Sequence, residues 1–283
     1  MKISTETKSL ADIVGFEKAL ELLAKAGFDA FDFSLFDLGK WDWNTSSQIV
    51  EDNFPSFDDL VEKVNNLKAI ADKLGLVCNQ AHAPFPTFPM LERVKLAIVC
   101  AGVMGAKIIV VHPDNNKSAE ENAKMYLDLL PLAKKYNLKI ATENMWNWKD
   151  GRASFAACST PEDFVAHLNA VNDENFVACL DVGHAEMMGE EVSAVKMIKA
   201  LNGKLQALHL HDNDKFHDSH QIPFSMNINF EEIATALKEI GYNGYLTLEA
   251  DTYLKKNAYT AETVFEGVQN LANSARKIGE LMK

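Results

Sequence analysis

The chain reads as an α/β protein of (β/α)8 barrel form, and three observations predict it. First, eight short β-rich runs recur: 2–5, 28–34, 76–82, 107–113, 138–144, 176–184, 205–212 and 244–251. Second, several of these runs are apolar almost to their last residues, as strands covered on both faces should be. Third, amphipathic stretches lie between them. In "FDDLVEKVNNLKAIADKLG", Leu60, Val61, Val64, Leu67, Ile70, Ala71 and Leu74 form one face, and Gly75 follows as a stop signal. Val264, Phe265, Val268, Leu271, Ala275 and Ile278 repeat the pattern near the C-terminus. Eight strands alternating with helices predict a barrel, with a doubly wound open sheet as the alternative. No composition break or Pro/Ser-rich linker interrupts the pattern, so a single domain over 1–283 is expected. The aromatic stretch 34–58 reads as a βα loop long enough to reach over a site.

Composition narrows the function classes. There are 28 Lys and Arg against 40 Asp and Glu, a net charge of −12, which weighs against a polyanionic partner such as nucleic acid. Cys78, Cys100, Cys158 and Cys179 form no CxxC pair and no disulfide-like framework. The opening "MKISTETKSLADIVGF" has no apolar h-region, and no apolar run is long enough for a membrane span. A soluble protein of a reducing cytoplasm is therefore expected. Assembly into a homo-oligomer is left open.

The candidate chemistry sits at the strand ends, where barrel enzymes carry their catalytic groups. The polar residues there are His82, His112, Glu143, Asp181 with His184, His209 with His211, and Glu249. Seven of the eight histidines fall at strand ends or in the loop after one, and only His167 reads as an ordinary helix residue. Scattered histidines would not sort this way. His209 and His211 are two apart and share a strand face. Asp181 and His184 straddle a strand end, with Gly183 read as the turn between them. Asp218 and His220 have ligand spacing in "HDNDKFHDSHQ", residues 211–221. A set of carboxylates and imidazoles without thiolate suits Mn²⁺, Co²⁺, Mg²⁺ or Zn²⁺ and argues against an iron–sulfur cluster. "ENMWNWKDGR" adds Trp146 and Trp148, whose faces could stack on a sugar, and Arg152, which could grip a carboxylate or phosphate. There is no GxGxxG, no GxxxxGK[ST] and no GxSxG.

The motifs "AHAPF", "VVHP", "ATENM", "LDVGHA", "LHLHDN", "DSHQIP" and "LTLEAD" run in order along most of the chain. Together they resemble the xylose isomerase-like TIM-barrel superfamily, which groups sugar and sugar-phosphate isomerases and epimerases with endonuclease IV. The resemblance implies a divalent metal held by Glu143, Asp181, His209 and Glu249, with His211 as the rival to His209. It implies that Glu143 and Glu249 flank the substrate carbon, one removing a proton next to a carbonyl and the other returning it, while His184 binds a substrate oxygen. The endonuclease branch implies a three-zinc cluster instead, with His82, His112, His184, Asp218 and His220 as further ligands. A polyol dehydratase starting from the same proton abstraction is a third reading. The chain departs from the sugar branch at Phe224, Ser225 and Met226, where relatives often carry a Gly-rich turn. That departure leaves open whether a small-molecule sugar or a sugar phosphate is the substrate.

Overall fold

Eight parallel strands form where the apolar runs predict them, in a computed structural model that describes residues 1–283. They are β1 (Lys2–Thr5), β2 (Ala30–Ser34), β3 (Val77–His82) and β4 (Ile108–Val110). The second half comprises β5 (Lys139–Glu143), β6 (Phe176–Asp181), β7 (Leu205–His209) and β8 (Tyr245–Leu248). Strands β2 to β7 are hydrogen-bonded in sequence order, and β8 pairs with β1. Parallel bridges between Glu6 and Asp32 and between Leu210 and Leu248 join the two sheets, so the ladder closes into a (β/α)8 barrel.

Outer helices pack around this sheet, among them Phe16–Ala26, Phe57–Leu74, Ala119–Lys135 and Val264–Leu281. Their ends follow local chemistry. Ser56 and Ser118 close capping boxes with Asp59 and Glu121, and Gly75 ends the second of these helices in the left-handed region at φ 73°. The main core of 71 buried residues lies between helices and sheet. The four cysteines are free and buried. No helix is long and apolar enough to cross a membrane.

Several strands stop sooner than the apolar runs suggest. The run 176–184 is a strand only to Asp181, and Val182–Met187 is a short helix whose N-cap is Asp181. The run 244–251 ends at Leu248, and Asp251 opens another short helix, Asp251–Lys256. Two hairpins break up stretches that read as loop: Lys40–Asp42 with Ser47–Ile49, and Trp146–Lys149 with Arg152–Phe155.

The barrel interior is not uniform. Ile108, Val110, Ala141, Val177, Cys179 and Ala207, from β4 to β7, make a separate apolar cluster. The other half of the interior is polar: Ser4, Asp32, Asn79, Gln80 and Thr247 are all buried. A β-bulge makes this possible. Phe31 pairs with Cys78 and Asp32 with Gln80, so Asn79 is an extra residue on β3. Asn79 accepts from Ser4 Oγ at 2.6 Å and donates to Thr247 Oγ1 at 3.0 Å. Gln80 donates to Asp32 Oδ2 at 2.9 Å.

Tyr126 ties an outer helix to the strand ends below the mouth. Its hydroxyl, fully buried, donates to the Val111 carbonyl at 2.8 Å and meets Thr142 Oγ1 at 2.9 Å. Tyr126→Phe removes the bond without changing shape, and a loss of about 1–2 kcal/mol is expected. Urea denaturation measures it directly, and an unchanged midpoint would show that this tie contributes nothing to stability.

Candidate active site

Parity along the strands delivers the site. Inward positions of β5, β6 and β7 end in Glu143, Asp181 and His209, and Glu249 follows β8. One ligand atom from each of these four residues lies within 4.8 Å of the others. His209 Nδ1 is 3.1 Å from Glu143 Oε1 and 3.3 Å from Glu249 Oε2. A second group joins His82, His112 and Glu143: the two Nε2 atoms are 2.8 Å apart, and His112 Nε2 is 3.1 Å from Glu143 Oε2. A third gathers His184, His211, Asp218 and His220. Asp218 Oδ2 lies 3.3 Å from His184 Nε2 and 3.1 Å from His220 Nε2. The two histidines of "HLH" thus part company. His209 faces the two glutamates, whereas His211 Nε2 donates to Asp181 Oδ1 at 3.1 Å and stacks on His220 with centroids 4.0 Å apart.

The short helix after β6 corrects the reading of its glycine. Asp181 Oδ1 accepts from the His184 backbone N–H at 2.7 Å, which starts the helix. Gly183 sits inside that helix, and a Cβ there would run into the His211 ring. Its role is to leave room for His211, not to turn the chain. Asn144 then clamps the junction: it accepts from Asp181 N and donates to Asp181 O, both at 2.8 Å. His184 Nδ1 donates to the Asn144 carbonyl at 2.8 Å, which turns Nε2 toward Asp218.

Electrostatics divide the carboxyls. Burial opposes ionisation of Glu143, but the His209 and His112 imidazoles hold it well below the usual range. Burial, reinforced by the Glu143 charge, pushes Glu249 well above it. Asp181 is held at about 2, where His184 and His211 overcome its burial. His184 rises to about 10 because Asp181 and Asp218 outweigh desolvation. His82, buried beside His112 and His209, is driven the other way and stays neutral.

The rim is aromatic. Trp146 donates to Asp218 Oδ2 at 3.3 Å and packs edge-on to His184. Trp148, half exposed, stacks on His217, which is itself exposed and bonded to Asp214 rather than to the site. Arg152 is not brought to the site: it stands exposed at the hairpin turn, in register with Lys149. A cleft of about 260 Å³ opens beside His112, lined by Trp43, Phe85, Phe88, Asn115 and Asn147. The loop that departs from the Gly-rich turn is organised by Asp212, which accepts from the backbone of Ser225, Met226 and Ile228 at 2.8–3.0 Å. Phe224 takes φ 71° and packs on Phe230. Sequence reading missed Asp32, Gln80 and Asn144. The one signal for Asp32 was an acid between aromatics in "FDAFDFS".

The donor set fits a divalent cation. It combines carboxylate oxygen and imidazole nitrogen, and the buried Asp181 Oδ2, Asp218 Oδ1, His112 Nδ1 and His211 Nδ1 have no hydrogen-bond partner.

Several solved structures share the fold over essentially the full chain. A D-tagatose 3-epimerase-like protein aligns with TM-score 0.70 and 21% identity, covering 100% of this chain and 97% of that one. D-psicose 3-epimerase from Clostridium cellulolyticum H10, solved with D-tagatose, gives 0.71 and 16%, covering 100% of both. The 3-keto-D-glucoside 4-epimerase of E. coli gives 0.68 and 17%, covering 99% of each. A curated relative, uncharacterized protein MJ1311 of Methanocaldococcus jannaschii, is 29% identical over 188 residues, 59% of this chain, and the matched stretch spans 62% of that relative's length. Residues 20–271 match the family described as xylose isomerase-like TIM barrel, and the chain belongs to that family.

Proposed function

We propose that the chain is a divalent-metal-dependent sugar isomerase or epimerase that moves a proton next to a carbonyl with Glu143 and Glu249. The observation that carries this reading is the convergence of those two glutamates with Asp181 and His209 in one buried group. The fold neighbours support it, since those named above are sugar epimerases or resemble one. Glu143, Asp181, His209 and Glu249 would hold the cation. When bound, a divalent cation there supplies Lewis-acid polarisation of a sugar carbonyl. The remaining chemistry belongs to the side chains. One glutamate takes the proton from the carbon next to the carbonyl and the other returns one, which for inversion at that carbon needs the two carboxylates on opposite faces of the sugar. His184, turned by the Asn144 carbonyl, has its Nε2 on Asp218 at 3.3 Å, and a substrate oxygen would take that nitrogen in exchange for the carboxylate. Trp146 and Phe36, which packs on His82 with centroids 4.6 Å apart, give the substrate apolar walls. Burial keeps water from competing for the proton.

A second reading is favoured by one observation. The groups around His82 and His112 and around His184, His211, Asp218 and His220 supply donors beyond what one cation needs. That arrangement fits an endonuclease IV-like zinc phosphodiesterase acting on abasic DNA.

Two measurements test the proposal. Metal analysis of chelator-free protein is expected to find about one Mn, Co or Mg per chain, whereas about three Zn, with incision of an abasic oligonucleotide, would replace it with the second reading. In D₂O, with D-fructose, D-psicose, D-tagatose, L-ribulose and ketose phosphates as probes, the wild type is expected to exchange a carbon-bound proton next to the carbonyl. Glu249→Gln is expected to lose that exchange by about a hundredfold or more. A variant that exchanges as fast as wild type would remove Glu249 from the reaction.

A further inference from the structure

The structure assigns Asp32 a positioning role: it holds the His209 ring so that Nδ1, and not Nε2, is offered to the four-residue group. This rests on the proposed reading of Glu143, Asp181, His209 and Glu249 as a cation site. His209 is fully buried and turns its two nitrogens to different partners. Nδ1 faces Glu143 and Glu249, and Nε2 donates to Asp32 Oδ2 at 3.2 Å. An imidazole can ligate through one nitrogen only when its remaining proton sits on the other, and an acceptor at that other nitrogen fixes it there.

Asp32 is itself held in place. Gln80 Nε2 donates to the same Oδ2 at 2.9 Å, Gln80 Oε1 accepts from Thr247 and Asn79 at 3.2 Å, and Asn79 is bonded to Ser4. The bulge at Asn79 is what lets neighbouring residues of β3 both join this buried network. His209 is the only ion-pair partner of Asp32. A packing role does not account for a carboxylate here. Burying one is costly, and the opposite half of the interior is filled with Val110, Ala141, Cys179 and Ala207. The rival is direct ligation, because Asp32 also lies within reach of a group with His82 and His209.

Co²⁺ titration of the whole chain separates these roles, read by both affinity and the visible ligand-field spectrum. Asp32→Asn is expected to bind Co²⁺ about 10–100-fold more weakly, with an altered spectrum and unchanged stoichiometry. Ser4→Ala, which cuts the same network away from Asp32, is expected to stay within about threefold of wild type, below the range of a lost outer-shell carboxylate. Gln80→Met keeps the carboxylate but removes its anchor; it is expected to weaken binding several-fold and carries the test if Asp32→Asn does not fold. Wild-type affinity in Asp32→Asn, or equal losses in Asp32→Asn and Ser4→Ala, overturns the role. So does the loss of one Co²⁺ per chain in Asp32→Asn, which would make Asp32 a ligand. If the wild type binds no Co²⁺, the cation reading fails and this inference with it; tight wild-type binding with an indifferent Asp32→Asn removes this inference alone.

Discussion

Four buried carboxylates and the half-buried Asp218 gathered at one barrel mouth, with only imidazoles to pair their charge, form the constraint around which this structure is built. Every ion-pair contact made by Asp32, Glu143, Asp181, Asp218 and Glu249 is to a histidine. Lysine or arginine would neutralise the same charges permanently, because neither gives up its proton readily. An imidazole that gives up its proton becomes a ligand, and a cation that binds it displaces that proton. The pairing therefore answers the carboxylate charges with groups that can themselves serve as ligands. An ordinary arginine pair would stabilise the barrel and block that chemistry.

Holding such a cluster requires a shell that does not yield, and the interior is divided accordingly. The side chains of β4 to β7 below the mouth are small and apolar, so the ends of those strands are positioned by packing. The side chains of β8, β1, β2 and β3 are hydrogen-bonded to one another, so that half is positioned by direction as well as by volume. His209 stands where the two halves meet. The capped helix after β6 does the equivalent work for His184, through Asp181 and Asn144.

The barrel was legible because strands buried on both faces write continuous apolar runs, and because polar residues collected where those runs stop. The residues that converge on the mouth were legible for the same reason. What was hidden depends on geometry that one-dimensional spacing does not carry. Val182 is β-branched and extends the apolar run of β6, so the helix that Asp181 initiates looks like more strand. His209 and His211 share a face by parity, but β7 ends at His209, which meets Glu143, and His211 beyond it meets Asp181. Arg152 follows two tryptophans in sequence, yet a hairpin carries it outward. Asp32 reads like any acid between aromatics until the bulge on β3 brings Gln80 against it.

The rim bears on the choice between a sugar and a nucleic acid at this mouth. A phosphodiester backbone needs unpaired cations around the site. Lys40 is paired with Glu51, Lys117 with Asp114, Lys215 with Glu186 and Lys255 with Asp251. These four lysines thus have their charge answered locally, on a chain that already carries −12, while Lys149, Arg152 and Lys256 stand exposed without an ion-pair partner. Aromatic faces and amides line the cleft beside His112, among them Trp43, Phe85, Asn115 and Asn147. Flat apolar faces set among neutral hydrogen-bonding groups match a sugar, whose ring has apolar faces and a polar edge. The extra donors around Asp218 then have a use that requires no further metal: imidazoles directed by buried acceptors can hold the hydroxyls of such a ring in register with the two glutamates.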